Sequence, residues 1–279
     1  MRRLPPRLQN AIRQHNGIAV WRVPSGAVNK ELTMLTKKVM TDIKAHAERD
    51  YPNESCGIVI QSGKSQKYIP CRNIASQPTD TFAIHQEDYA AAEDAGDIIR
   101  IIHSHPGDGA LPIPSDLDRA ACNESGIIWG IYAYPADEYA EFEPKETPLI
   151  GRPFSLGVYD CYGMVMAWYK SQGIDLIDYR KPYEWWTKGE ELFTTENIKA
   201  AGFVPVPLED ASAGDVIIMQ IRADVPNHSG ILMPGDYLLH HMPNQLSRRI
   251  AFHGSYYYER VTGVYRHPDL KTENITSWL

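Results

Sequence analysis

The sequence has few cysteines, no long apolar run and no block of basic charge. Four cysteines (Cys56, Cys71, Cys122 and Cys161) are scattered over 279 residues with no CxxC pair. That sparsity excludes a disulfide framework and makes a reduced compartment the expected place of synthesis. No apolar stretch approaches the roughly 18 residues of a membrane-spanning helix, so no membrane insertion is expected. Net charge is −7, and the basic residues form no long run, so nucleic acid is not an expected partner. Met1-Arg2-Arg3-Leu4-Pro5-Pro6 starts with the charge of a signal peptide but lacks the apolar segment after it, so no export signal is expected. There is no internal repeat. What is present is ordinary for a globular chain, 43% hydrophobic and 23% charged residues. The length suits two domains better than one core.

Residues 1–33 form a basic arm with Arg2, Arg3, Arg7 and Arg13, expected to fold on a partner or to stay partly unfolded. Leu35, Val39, Met40, Ile43 and Ala47 recur at helical spacing before Pro52. A strand over 54–60, a turn at Gly63 and a partner strand over 67–71 make a hairpin. Residues 82–84 read as another short strand and 87–95 as a helix. The apolar run Asp97-Ile98-Ile99-Arg100-Ile101-Ile102 reads as a strand that ends in His103-Ser104-His105. A loop over 106–114, a helix over 115–124 stopped near Gly126, and a strand over 127–134 complete a mixed α/β sheet domain over 34–134. Pro135, Pro144 and Pro148, with acidic residues between them, mark 135–149 as a linker. The second domain, 150–279, carries a helix over 161–172 closed by Gly173, a helical or looped stretch over 174–200, and an antiparallel meander over 216–219, 227–233 and 237–241 with a last strand over 263–266. The expected fold class is α+β in two domains.

Histidines two apart on a strand face the same way, so His103 and His105 can aim both imidazoles at one metal ion. Asp118 is a candidate third ligand, leaving a fourth position for water, which is the pattern of a catalytic zinc. Glu54 at the head of its strand is a candidate base, and Ser115 a candidate donor to a developing oxyanion. Each part has a plainer reading. Ser115-x-x-Asp118 also fits a helix N-cap with an acidic third residue, His-x-His pairs are often structural, and Cys56 is a ligand, a thiol or a small core residue. Taken together, Glu-x-Cys-Gly at 54–57, His-Ser-His-Pro at 103–106 and Pro-Ser-x-x-Asp at 114–118 resemble the JAMM (JAB/MPN) metalloprotease motif over about 35–134. The resemblance implies zinc held by His103, His105 and Asp118, with Glu54 as general acid/base and Ser115 on the oxyanion side. The nine residues between His105 and Ser115 are two more than that family usually has, a difference that a loop absorbs.

Asp160-Cys161-Tyr162-Gly163 stands at a helix start. The dipole and free N–H groups there lower a thiol's pKa and favour the thiolate. A catalytic thiol also needs a base. His228 lies on one strand and His240 on the next, with His241 the alternative one register position away. A lone cysteine is more often an inert core thiol, but the surroundings are specific. Pro153-Phe154, Asp160-Cys161-Tyr162-Gly163-Met164-Val165, Ala213-Gly214-Asp215-Val216, His228-Ser229-Gly230-Ile231-Leu232 and His240 resemble the NlpC/P60 cysteine peptidases over about 150–267. That resemblance implies a papain-like domain with the Cys-bearing helix packed on an antiparallel sheet. Cys161 is then the nucleophile, His228 the base and His240 the third polar residue. The substrates it implies are peptidoglycan stem peptides, often cut beside D-glutamate and diaminopimelate. Tyr162 stands where the family often has serine. Trp185-Trp186 reads as lid or core packing rather than a sugar platform.

A JAMM-type domain followed by an NlpC/P60-type domain resembles the tail tip assembly proteins of lambda-like siphophages. This implies other tail tip proteins as partners and a place in the virion tail, or in the host cytoplasm during assembly. The alternatives are a structural tail component with vestigial sites and a bacterial cell-wall endopeptidase.

Overall fold

Val39, Ile43 and Ala47 bury one face of helix α1 (Lys37–Asp50) in the computed structural model, which describes residues 34–271 and 275. The arm expected over 1–33 lies outside the described residues. The chain divides into two units that meet between Glu146 and Thr147.

In the first unit, β1 (Cys56–Ser62), β2 (Ser65–Cys71), β3 (Asp97–Pro106), β4 (Ile128–Tyr134) and β5 (Glu138–Phe142) form one sheet in the order β2-β1-β3-β4-β5. Only β3 and β4 run parallel. Alternation along the strands builds two cores. Val59 and Ile102 face α1, while Ile58, Ile60 and Ile101 face Tyr89 and Ala92 of α2 (Gln86–Ala95) and Ala121 and Cys122 of α3 (Asp116–Ser125). Two stretches differ from expectation. Residues 82–84 make no strand, only a single bridge from Ile84 to Asn73. Within the stretch expected as linker, β5 adds an edge to the sheet, pairing Trp129 with Phe142. Its acidic residues hid it: Glu141 accepts from the buried Arg100 at 3.2 Å and from the Tyr139 hydroxyl at 2.8 Å.

In the second unit, β6 (Val204–Val206), β7 (Val216–Met219), β8 (His228–Met233), β9 (Tyr237–His240), β10 (Arg248–Ala251) and β11 (Val261–Arg266) form an antiparallel sheet in the order β10-β9-β8-β7-β11-β6. Helix α4 (Cys161–Ser171) packs Met164, Val165, Trp168 and Tyr169 on Val216, Ile218, Ile231 and Met233. The α+β class in two domains therefore holds. The short α5 (Thr195–Ala200) falls in the stretch expected to be helical or looped, and β6 and β10 are additions to the elements expected.

Asp215 ties β7 to β11. It is 1% exposed and accepts from Ser212 N at 2.8 Å, Arg266 Nε at 2.8 Å and Arg266 Nη2 at 2.7 Å. Asp215→Ala is expected to lower the unfolding free energy of the chain by about 2–3 kcal/mol. Chemical denaturation checks this, and a loss below about 0.5 kcal/mol, the scatter of ordinary surface changes, would contradict it.

Two candidate active sites, one in each unit

The antiparallel register of β1 and β3 pairs Cys56 with His103. It continues through Ser55 and Ser104, where Ser104 N donates to Ser55 O at 2.9 Å and Ser55 N donates to Ser104 Oγ at 2.8 Å. One residue further, Glu54 turns its main-chain N–H to Pro78 O at 2.7 Å, and its carboxyl is near enough to His105 to feel its charge. His103 is fully buried, with its ring stacked on Phe82 at 4.6 Å and edge-on to Trp129 at 5.8 Å.

His103 Nε2 lies 3.2 Å from His105 Nε2 and 3.4 Å from Asp118 Oδ1. Ligand atoms about 2.0–2.1 Å from a tetrahedral zinc are roughly 3.3–3.4 Å from one another, so this donor set fits the ion. Among the described residues it is the group of histidine, cysteine and acidic side chains that converges in this way. The other ring nitrogen of His105 faces Leu111 O at 3.0 Å, the outer contact that fixes a ligating imidazole. Ser115-x-x-Asp118 forms the helix cap and at the same time sets Asp118 beside the two histidines. Ser115 Oγ accepts from Asp118 N at 3.1 Å, and Asp118 Oδ2 accepts from Ser115 N at 2.8 Å and Oγ at 2.7 Å. The cap thus occupies Oδ2 and leaves Oδ1 toward His103. The Ser115 hydroxyl hydrogen is committed to Asp118 in this arrangement.

Burial pushes the Asp118 carboxyl up, but hydrogen bonds from His103, His105 and Ser115 outweigh it and hold the group well below the usual range. Burial also lowers His103. An ionised carboxylate and a neutral imidazole are the forms a metal needs. Burial works to lower His105 too, but bonds to Asp118 and the Leu111 carbonyl draw it upward overall. Glu54 is 6% exposed, and burial raises its carboxyl to about 8 against the pull of His105. Cys56 is fully buried in the core, its Sγ 3.8 Å from Cys71 O.

In the second unit Asp160 caps α4. Its Oδ1 accepts from Gly163 N at 2.8 Å and its Oδ2 from Gly157 N at 2.9 Å. Burial raises this carboxyl to about 6 despite the nearby Arg180. Arg180 donates to Val158 O at 2.6 Å and to both oxygens of Asp178. A Cβ on Gly163 would stand 2.2 Å from Val158 O, so only glycine admits this closure. Cys161 Sγ lies 4.0 Å from Asn227 O.

His228, 4% exposed, places Nε2 3.1 Å from His240 Nδ1, which leaves Nδ1 as its uncommitted nitrogen. The His240 ring rests edge-on against Tyr257 at 4.4 Å. Gly230 makes room for this pairing, since a Cβ there would come 2.9 Å from Leu239 O and 3.2 Å from His240 Cβ. His241 points elsewhere, edge-on to Phe154 at 5.2 Å. Cys161, His228 and His241 all line one cavity of about 370 Å³.

The helix N-terminus does not win the contest over the thiol. Burial and the Asp160 carboxylate push Cys161 up to about 12, against the opposing hydrogen bonds of Ser229 and Tyr162. Burial holds His228 well below the ordinary histidine value, helped by His240 and His241, and burial lowers both of those to about 4. At rest the pair is therefore a neutral thiol beside neutral imidazoles. Asp160, Arg180 and Gly230 carry no role in the sequence reading. The first is signalled by its N-cap position before the thiol; the other two have no local signature.

Two family models match the chain, one described as prokaryotic homologs of the JAB domain over residues 36–145 and the other as the NlpC/P60 family over residues 151–266. The chain thus joins domains of two peptidase families. It is 40% identical over 240 residues to tail tip assembly protein K of Escherichia phage N15, covering 85% of this chain and 97% of that one. It is 35% identical over 181 residues to tail tip assembly protein K of Escherichia phage lambda, covering 65% of this chain and 87% of that one. A probable TtuB-protein conjugate cleaving protease of Thermus thermophilus is 27% identical over 97 residues, 33% of this chain and 66% of that one. The chain belongs to the tail tip assembly protein K family.

Iodoacetamide should modify Cys161 slowly at pH 7. Because the thiol is raised, its thiolate fraction grows about tenfold for each pH unit while the pH stays below the pKa. The expected rate, read at Cys161 by peptide mapping, keeps climbing past pH 9. A plateau below pH 8 would contradict the raised thiol.

Proposed function

We propose that this tail tip protein is a peptidase with a thiol site in its second unit and a zinc-dependent site in its first. Peptidoglycan stem peptides are the proposed substrate of the thiol site. The observation that carries this reading is the contact of His228 Nε2 with His240 Nδ1 at 3.1 Å, on the wall of the cavity that Cys161 also lines. With Nε2 donating to His240, Nδ1 of His228 is free to accept the thiol proton as sulfur attacks the amide carbon. That proton then passes to the departing amine as the C–N bond breaks. Water, losing a proton to the same nitrogen, hydrolyses the thioester and restores the thiol. Since neither group is ionised at rest, proton transfer accompanies attack instead of preceding it. For Nδ1 to be the acceptor, the ring hydrogen of His240 sits on its Nε2, a buried atom with no hydrogen-bond partner in the protein.

In the first unit, His103, His105 and Asp118 would hold zinc. When bound, the ion supplies Lewis acidity and lowers the pKa of a coordinated water. Glu54, near His105, would take a proton from the attacking water and pass it to the departing amine as the amide bond breaks. Ser115 keeps the Asp118 carboxylate turned toward the histidines. The name of the Thermus relative, a conjugate-cleaving protease, supports an amide in a protein as the target. Other tail tip proteins are the proposed partners, and the virion tail, or the host cytoplasm during assembly, the proposed location.

Digestion of purified peptidoglycan tests the thiol reading. The wild type is expected to release cleaved stem peptides, and Cys161→Ala to do so at least about a thousandfold more slowly. Equal silence from both would end the reading. Metal analysis tests the first unit separately: bound zinc should drop to background in His103→Ala, and an unchanged content would remove His103 as a ligand.

A further inference from the structure

The cavity beside Cys161 offers its occupant something that stem peptides do not use. Its volume, about 370 Å³, is that of a ligand site. Val165 of α4 with Phe203 and Ile218 forms one wall, all three buried. Trp186, Phe193 and Ile198, half-buried, form another from the segment that leads into and through α5. The charged groups on its boundary are either engaged or stand at its solvent-exposed mouth. The Asp160 carboxylate is taken by two main-chain N–H groups and the Arg180 guanidinium by Asp178 and the Val158 carbonyl. Glu184 and Arg222 are exposed to solvent. A charged side chain taken into the apolar part would lose its hydration with no partner to replace it. D-Glutamate and diaminopimelate carry such charges, and the alanines of a stem peptide present only a methyl group.

We infer that the thiol site also cleaves polypeptides, at bonds flanked by a bulky uncharged residue (Phe, Tyr, Trp, Leu or Met) whose side chain fills this cavity. The inference rests on the thiol-peptidase reading of Cys161 and adds a second substrate class to it. The occupant is identified by what is adjacent. Cys161 and His228 are on the cavity's wall, so a side chain seated there belongs to a residue whose own main chain lies at the nucleophile. Filling an apolar pocket in this way is worth about 10- to 100-fold in kcat/KM over a small residue.

The test incubates the full chain with a peptide library made from a digested proteome and reads new termini by mass spectrometry, with Cys161→Ala as control and purified peptidoglycan in parallel. Cysteine-dependent cuts should concentrate on bulky apolar residues at one position beside the bond, at least tenfold over Glu, Asp and Ala. Cuts without that preference would overturn the inference. So would cleavage of stem peptides with no cleavage of polypeptides, a result that leaves the thiol reading intact. If neither substrate is cut, both fall together. Ala201, at the end of α5, also lines the cavity. Ala201→Phe fills it and is expected to reverse the preference for Phe over Ala in matched peptides; Ala201→Leu, a smaller intrusion, should weaken it by a lesser factor. An unchanged ratio in both variants would show that this cavity does not select the substrate.

Discussion

Two hydrogen bonds to the Asp160 carboxylate decide where the thiol of the second unit stands. One holds the first turn of α4 through Gly163 N and the other holds the incoming chain through Gly157 N. Without that carboxylate, two buried N–H groups would be left unpaired, each at a cost of about 1–3 kcal/mol. The Cβ-free Gly163 lets Val158 close over the helix end, and Arg180 fastens the Val158 carbonyl from outside. Position and reactivity pull in opposite directions here. The group that seats the Cys161 thiol also places a negative charge beside it, which opposes the thiolate. On the proposed thiol-peptidase reading, a base that takes the proton during attack would resolve this conflict, and burial holds His228 low, as such a base requires.

The first unit solves its own positioning problem by giving one residue pair two tasks. Ser115 and Asp118 close the capping box of α3, and the oxygen that the cap leaves unused is the one nearest His103. Helix stability and the orientation of the Asp118 carboxylate therefore rest on the same hydrogen bonds, so the cap is compatible with the proposed metal site. The register of β1 against β3 supplies the rest, because a pairing fixed by apolar residues in the strand middles also fixes which side chains meet at their ends.

What the sequence disclosed follows the range of its signals. His103 and His105 are two apart on a strand, Asp160 precedes a thiol at a helix start, and Ser115 precedes a helix by one residue; local spacing determines each of these. The fold class was legible because apolar periodicity is also local. Three matters were not. β5 was concealed because Glu141 and Glu138 look like linker charges, while the buried Arg100 that uses Glu141 is 41 residues away. The choice between His240 and His241 depends on where β9 ends and on the space over Gly230, which composition does not report. The raised thiol of Cys161 follows from burial, a property of the whole unit that its place at a helix start does not report. The cavity is likewise assembled from α4, the sheet and the 185–201 stretch, and no one segment announces it.

Among the described residues, the sheet of the first unit has two edge strands, β2 and β5. On β2 an exposed Lys67 is followed by an exposed proline, Pro70, and β5 starts at an exposed Glu138. Proline withholds a main-chain donor, and charge makes a neighbouring strand costly to dehydrate. An unguarded edge strand would zip onto whatever strand it met. These edges discourage such growth, so the sheet ends with its own five strands instead of inviting a sixth.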